Sequence, residues 1–194
     1  MRWTVALPLI AFGAISCTMT PEPYSDVSDV KETPVDHFVH LQGQPGDATQ
    51  KDRDFVYWAT VQCLYQIELA QRAKTQATSS AVREFAQRVA EECQTQNGQL
   101  ALVNEGHIGI VTLPSRLDRS HAAMVAQLEA QTGPAFDRVY VEDQIASSAE
   151  AVQLFRDQGN AGSDPVLQRF AATSVPDLQQ RQSDAERLRA QFAD

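Results

Sequence analysis

After residue 50 the chain carries apolar residues every three or four positions, which is the spacing of one face of an α-helix. The pattern predicts a first helix over residues 52–75 and a second helix that is capped at Ser79 or Ser80 and ends near Gly106. The connection between them is short, so we expect an antiparallel hairpin. The inner faces comprise Val56, Ala59, Cys63, Gln66 or Ile67, Ala70 and Ala73 in the first helix, and Val82, Phe85 or Ala86, Val89, Cys93, Gln96, Leu100 and Val103 in the second.

The rest of the chain predicts a short helix and a second hairpin. The short helix ends at Gly133, and a long helix follows from Pro134 to residues 160–162. The last helix opens at Asp164 and is expected to be interrupted at Pro176. The predicted inner faces are Leu117, His121, Met124 and Leu128 in the short helix, Val141, Ile145, Ser148, Val152 and Phe155 in the long one, and Leu178, Arg181 or Gln182, Ala185, Leu188 and Phe192 in the last.

The two predicted hairpins resemble each other weakly. Residues 80–86 (SAVREFA) and residues 165–171 (PVLQRFA) each open the second helix of a hairpin. Two such hairpins predict an all-α fold, an antiparallel four-helix bundle with a kinked last helix, over residues 51–194. Only 9 Gly and 7% aromatic residues agree with helices and argue against a sheet.

The first 16 residues have the features of a secretory signal peptide. A positive charge at Arg2 precedes an apolar run from Val5 to Ile15, which is too short to span a bilayer. The next residue, Cys17, completes the tetrad AISC, which resembles a bacterial lipobox, so we expect lipidation of Cys17 and an outer-membrane anchor. The alternative is ordinary cleavage after Ser16, which leaves Cys17 as a free thiol.

Residues 17–50 are rich in Pro and acidic residues and lack a sustained apolar period, so we expect a flexible tether between the anchor and the bundle. His37 and His40 lie in this segment and are interpreted as a solvated pair, with metal binding as the alternative. The net charge is −9, and the chain after Ser16 carries 15 basic and 25 acidic residues, which gives −10. Such a surface repels phosphate backbones, so nucleic acid is not expected as a partner.

Three short motifs in the same order and spacing resemble a known bacterial family. They are residues 82–87 (VREFAQ), residues 136–140 (FDRVY), and Asp164-Pro165 followed by Phe170-Ala171 and Val175-Pro176. Over about Phe55 to Ala190 the chain is similar to the domain-of-unknown-function 4142 family, whose members are exported, ferritin-like helical bundles without an assigned activity. The resemblance therefore implies a ferritin-like bundle and export, and it implies little about function.

The resemblance also implies a degenerate site. Family members typically carry a Glu, an Asp-His pair and two further histidines at positions that are Gln66, Glu92-Cys93, Ser148 and Arg181 in this chain. No Glu-x-x-His occurs, and the nearest motif is Asp118-x-x-His121. Since di-metal bundles need several inward carboxylates and histidines, we expect no bound metal and no other cofactor. The four polar residues are interpreted as interior groups that bond to one another or to water, and the alternative is a residual ligand pocket.

Cys63 and Cys93 are predicted at the same height on adjacent helices, about 15 residues on either side of the hairpin turn. A disulfide between them is one interpretation, and two buried thiols is the other, because the Cα atoms must approach within about 7 Å. Neither cysteine has a His or Lys close by in the sequence, so a reactive thiol ranks below both.

The leading functional hypothesis is a membrane-anchored envelope lipoprotein whose bundle is a non-catalytic module with an interaction or stress-related role and an envelope protein as partner. The alternative is a metal-handling or redox protein of ferritin-like ancestry. In that case an inward cluster of Glu68, Glu92, Glu150 or His121 is expected, whereas carboxylates that face solvent favour the module.

Overall fold

The computed structural model describes residues 48–108 and 111–192, and its regular elements are helical. This part of the chain contains four long helices and one short helix. A single π-helical turn at Asn104–Ile108 directly follows the second long helix. The helices are α1 (Gln50–Gln76), α2 (Ser80–Val103), α3 (Arg119–Glu129), α4 (Gly133–Ala161) and α5 (Pro165–Ala190). The all-α prediction is confirmed.

The long helices form two antiparallel hairpins, α1 with α2 and α4 with α5, and each hairpin is held by extensive contacts between its two helices. The hairpins pack together mainly through α1 and α4, while α2 and α5 meet less closely. The short helix α3 lies against α1 and α4. This arrangement is the four-helix bundle that the repeated apolar spacing predicted.

Polar caps determine where the helices begin, because the first backbone N–H groups of a helix have no partner within it. Thr49 and Asp52 form a reciprocal capping box at the start of α1. Ser79 caps α2, Asp118 caps α3 through the N–H groups of Ser120 and His121, and Asp164 caps α5. The predicted starts of α2 and α5 therefore match the structure.

Two hydrophobic clusters fill the bundle. One surrounds the α1–α2 connection and includes Tyr65, Phe85 and Phe136, and the other lies toward the opposite end and includes Phe55 and Phe155, whose rings meet edge to face at 5.0 Å. The inner face predicted for α1 is buried throughout, and in α4 only Ile145 is partly exposed. Between the clusters lies a polar layer that contains the candidate site.

Three details differ from the predictions. In α3 the buried residues are Val125 and Leu128, whereas Met124 is 39% exposed. The predicted inner face was therefore right at Leu128 and wrong at Met124, where the next residue is buried instead. The chain continues from α2 into the π-helical turn at Asn104–Ile108, which contains Gly106, so the glycine does not end the helical segment. Helix α5 also continues through Pro176, although proline has no N–H to donate to the preceding turn.

The two hairpins are tied together by two buried aspartates. Asp52 in α1 accepts hydrogen bonds from Gln158 Nε2 (2.6 Å) and from the Ser163 N–H (3.0 Å), at the connection between α4 and α5. Asp137 in α4 accepts from the N–H groups of Thr78 (3.0 Å) and Ser79 (2.9 Å), at the connection between α1 and α2. Each hairpin thus supplies a carboxylate that holds the turn of the other.

These ties belong to an internal repeat with an offset of 85 positions, which relates Asp52 to Asp137 and the cap Ser79 to the cap Asp164. The same offset relates Arg83 to Gln168, and both side chains donate back to the preceding turn, Arg83 to Ala77 O at 2.6 Å and Gln168 to Gly162 O at 2.7 Å. The weak similarity between residues 80–86 and 165–171 therefore reflects equivalent structural roles.

No helix within residues 48–108 and 111–192 is long and apolar enough to cross a membrane. The predicted signal peptide (1–16), the predicted lipidation site Cys17, and the pair His37 and His40 lie outside the described residues, as does the predicted tether (17–50) up to residue 47.

Candidate functional site

The polar layer of the bundle is built partly from amide and hydroxyl groups of α1 and α4. Gln66 Nε2 donates to Ser147 Oγ at 2.6 Å, and Gln144 Nε2 donates to Gln66 Oε1 at 2.6 Å. All three residues are buried. Because an unpaired buried polar group costs on the order of 1 to 3 kcal/mol, these bonds fix how α1 and α4 face each other.

The thiols of Cys63 and Cys93 lie next to this network, on α1 and α2. Both residues are buried, with 2% and 0% of their surface exposed, and the two sulfur atoms are not bonded to each other. The two thiols line the same small cavity, and Cys63 Sγ lies 3.1 Å from Gln96 Oε1. Of the two interpretations of this pair, the structure shows two buried thiols.

A charged side chain from α5 completes the site. The guanidinium of Arg181 is buried, and its Nη1 lies 3.6 Å from Cys93 Sγ. Its Nε and Nη2 both lie 3.0 Å from Glu92 Oε2. Glu92 is about half exposed, so the ion pair runs from the interior to the surface. Sequence reasoning looked for His or Lys near each cysteine and did not name Arg181 as the charge beside the thiols, although the family alignment placed Arg181 and Cys93 in one site.

The two thiols have different acidities in this setting. The hydrogen bond from Cys63 lowers the pKa of Cys93; burial opposes that change and the charge of Arg181 reinforces it. The same contact raises the pKa of Cys63 well above its usual value, and burial adds to the effect. Since Arg181 touches Cys93 directly, Cys93 is the sulfur on which a negative charge is stabilised.

A small cavity of about 10 Å³ opens beside the thiols. Its lining includes Cys63, Cys93, Gln66 and Arg181, and also Gln62, whose buried Oε1 has no hydrogen-bond partner. The space is about that of one water molecule.

A groove of about 540 Å³ runs along the surface between α2 and α5, where those helices meet less closely. Gln96, Leu178 and Arg181 line both the groove and the cavity. These three side chains therefore separate the thiols from the exterior. The groove wall is otherwise mostly polar and charged, with Arg88, Glu91, Asp177 and Asp184 among its residues.

The four positions of the degenerate site come together only in part. Gln66, Cys93 and Arg181 line the same cavity, as the alignment on the family motifs led us to expect. Ser148 is buried but lies outside that lining, and its hydroxyl has no partner. Its neighbour Ser147 takes the place instead and bonds to Gln66.

Comparison with known proteins identifies the family. A family model described as Domain of unknown function (DUF4142) matches residues 39–188. This chain belongs to the DUF4142 family. No curated protein matches it.

A solved structure supports the fold of this DUF4142 protein. The crystal structure of a DUF305 fragment from Deinococcus radiodurans superposes with a TM-score of 0.64 and 19% sequence identity, and the match covers 76% of this chain and 99% of the fragment. At this identity the likeness concerns the fold alone.

The acidic residues and the histidine that the metal-handling alternative requires do not form one inward cluster. Glu68 pairs with Arg72, Glu92 pairs with Arg181, and Glu150 is exposed. His121 Nδ1 lies 2.6 Å from Asp118 Oδ2, and its ring packs against Tyr65 at 5.1 Å between centroids. Among the described residues of the DUF4142 protein, no group of three or more His, Cys, Asp or Glu side chains could hold a metal ion.

A half-buried acid, Asp143, lies beside α3. Tyr65 donates to Asp143 Oδ2 at 2.6 Å. Burial raises the pKa of Asp143 and the charge of Glu150 adds to the increase, while the hydrogen bond from Tyr65 opposes it. Neither Tyr65 nor Asp143 lines the thiol cavity, so this pair is separate from the site. The chemistry available in the polar layer is therefore that of two thiols beside one guanidinium.

Proposed function

We propose that this protein is an envelope lipoprotein, anchored to the outer membrane by lipid on Cys17, whose bundle is a non-catalytic interaction module. The anchor rests on the AISC tetrad at residues 14–17, which follows an apolar run of signal-peptide length. Residues 17–50 then serve as the tether that holds the acidic bundle away from the membrane surface.

The observation that carries the module hypothesis is the outward orientation of the carboxylates. Glu68 and Glu92 are each about half exposed and neutralised by an arginine, and Glu150 faces solvent. An enzyme of ferritin-like ancestry would instead converge such groups on a metal in its core. The arrangement supports a bundle that presents a charged surface to an envelope protein in an interaction or stress-related role.

The anchor is tested by following lipid and location together. Wild-type protein expressed in a bacterial host is expected to incorporate labelled fatty acid and to enter the detergent phase with the membranes. Cys17→Ser is expected to lose both properties. Cys63→Ser is the matched control and should retain both, because Cys63 lies inside the bundle. If Cys17→Ser still enters the detergent phase, the lipid anchor is wrong.

The partner is tested by crosslinking in native membranes. Wild-type protein should give defined crosslinked species with an envelope protein, and the same species should weaken when Cys17→Ser releases the bundle from the membrane. A bundle that forms the same crosslinked species without its anchor would contradict the role of the tether.

A further inference from the structure

The two thiols, the guanidinium and the small cavity suggest a chemistry that goes beyond the proposed module. We propose that Cys63 and Cys93 form a peroxide-reactive thiol pair, in which Cys93 attacks hydrogen peroxide and Cys63 then closes a disulfide. Arg181 is the residue that makes Cys93 the attacking sulfur.

The roles of the two sulfurs follow from their contacts. A thiolate, not a thiol, attacks an oxidant, and a neighbouring positive charge stabilises the thiolate. Arg181 lies 3.6 Å from Cys93 Sγ, while Cys63 faces the amide oxygen of Gln96 and the sulfur of Cys93. Cys63 is therefore the protonated partner, placed where it can attack an oxidised Cys93.

The size of the site selects the oxidant. A cavity of about 10 Å³ is at the lower limit for one water molecule, so it selects the smallest oxidants, and hydrogen peroxide is a small neutral thiol oxidant with O–H groups to donate. The unpartnered Gln62 Oε1 in the lining offers an acceptor for such a group. Gln96, Leu178 and Arg181 line both the cavity and the groove, so movement of these side chains as α2 and α5 separate admits hydrogen peroxide.

The reaction balances in two steps. The Cys93 thiolate attacks one oxygen of hydrogen peroxide, the O–O bond breaks, and the departing hydroxide takes a proton to become water, which leaves Cys93 as a sulfenic acid. The Cys63 sulfur then attacks the Cys93 sulfur, the S–O bond breaks, and the sulfenic oxygen leaves as a second water with the Cys63 proton. One peroxide is reduced and two thiols are oxidised to one disulfide.

The decisive experiment counts thiols and peroxide in the exported chain carrying Cys17→Ser, so that Cys63 and Cys93 are its only cysteines. After reduction and removal of the reductant, the folded protein should consume one equivalent of hydrogen peroxide, lose both thiols and fall in mass by about 2 Da, the two hydrogens of the thiols. In Cys63→Ser a sulfenic acid should be trapped at Cys93. In Cys93→Ser the remaining Cys63 should stay reduced.

Two charge variants test Arg181 with opposite expected signs. Arg181→Gln should slow oxidation by about tenfold and move its pH midpoint upward, because the thiolate loses its positive neighbour. Glu92→Gln should speed oxidation and move the midpoint downward, because the competing negative charge is removed while Arg181 remains. Arg187→Gln, an exposed change on the same helix, is the control and should leave the rate unchanged.

Several results would overturn the proposal. It is wrong if the folded chain keeps both thiols at a hydrogen peroxide concentration that oxidises free cysteine. It is also wrong if the oxidation rate rises in proportion to the unfolded fraction as urea is added. It is also wrong if Cys63→Ser and Cys93→Ser react equally fast. Glutathione disulfide is too large for the cavity, so equally fast oxidation by that reagent would contradict the access route. None of these outcomes bears on lipidation of Cys17.

Discussion

At the scale of single residues, the carboxylates of the buried Asp52 and the half-buried Asp143 respond to their surroundings in opposite ways. Burial alone raises the pKa of Asp52, but hydrogen bonds from Gln158 and Thr49 outweigh it, and the pKa falls from 3.8 to about 2. Asp143 receives fewer hydrogen bonds, and there burial prevails and raises the pKa. The number of donors around a carboxylate, more than its depth, decides the direction.

The lowered pKa of Asp52 predicts a loss of stability in acid. A carboxylate with a lowered folded-state pKa stabilises the fold above its unfolded pKa, and that contribution is lost as the pH falls from about 4 to 2. The shift corresponds to about 2 kcal/mol. Asp52→Asn should therefore lower the free energy of unfolding at pH 7 by about that amount and flatten its dependence on pH below 4, as measured by urea unfolding.

Asp54→Asn is the matched control for this prediction, because Asp54 lies on the exposed face of the same helical turn. It should change the free energy of unfolding by less than about 0.5 kcal/mol. If the free energy of unfolding falls as steeply with pH below 4 in Asp52→Asn as in the wild type, the lowered pKa of Asp52 is not the cause of that fall.

The raised pKa of Asp143 predicts a pH dependence of stability that is opposite in sign to that of Asp52. A carboxyl group whose folded pKa is raised binds its proton more tightly in the folded state, so its contribution weakens as the pH rises from the unfolded value of 3.8 through the raised folded value. Asp143→Asn should thus be more favourable relative to wild type at pH 7 than at pH 4, as measured by urea unfolding at both pH values. Asp157→Asn, an exposed change on α4, should show no such difference.

Sequence periodicity located the site to within one residue and no better. In α4 it selected Ser148 for the inner face, yet Ser147 makes the bond to Gln66, because both positions are buried where α1 and α5 flank the helix. In α3 it selected Met124, while the buried residue is Val125. Successive side chains of a helix are 100° apart, so the apolar pattern does not decide which of two neighbouring positions is buried when the helix contacts two others. Alignment on the family motifs placed Arg181 and Cys93 in one site, whereas the ion pair of Arg181 with Glu92 was beyond prediction, since charge pairing between distant helices leaves no local pattern.

At the scale of helices, the glycines of α2 and α4 play different roles. A Cβ on Gly159 would lie 3.3 Å from the backbone of Ala172, so this glycine lets α4 and α5 approach closely. A Cβ on Gly98 would meet nothing within 4 Å. Gly159→Ala should lower the free energy of unfolding by about 1 kcal/mol through overpacking. Gly98→Ala should raise it by about 0.5 to 1 kcal/mol, because alanine favours the helix.

Thermal or urea unfolding of the two glycine variants distinguishes packing from helix propensity. Propensity alone predicts the same sign for both, since both glycines lie inside helices. Stabilisation by Gly159→Ala would therefore show that α5 shifts without cost.

The starts of α2 and α5 and the end of α4 could be predicted from sequence, whereas the course of the chain at Gly106 and Pro176 could not. Ser79 and Asp164 are capping residues whose side chains bond the first free N–H groups, so the signal is local. Gly106 is also a local signal, but a π-helical turn at Asn104–Ile108 includes it. Pro176 is tolerated within α5, where Leu178 and Ala185 are packed into the core beyond it. At Pro176 tertiary burial outweighed the local signal.

At the scale of the whole molecule, the repeat places one carboxylate tie at each end of the bundle. Asp52 and Asp137 each hold the turn of the opposite hairpin, and Thr78 Oγ1 adds a short hydrogen bond to Asp137. We expect Asp52→Ala and Asp137→Ala each to cost about 2 to 3 kcal/mol. The double variant should cost their sum within about 0.5 kcal/mol, because sites that share no contacts act independently. Urea unfolding of all three variants tests this.

Both ties join the α1–α4 side, whereas α2 and α5 meet less closely and are joined by the ion pairs of Arg181 with Glu92 and of Arg88 with Asp184. Fluctuations that separate the hairpins should therefore begin between α2 and α5 and leave α1 and α4 associated. The first interior surface that such an opening exposes to solvent is the layer with Cys63, Cys93 and Arg181, so the mobility of one edge would set how often the thiols meet dissolved molecules.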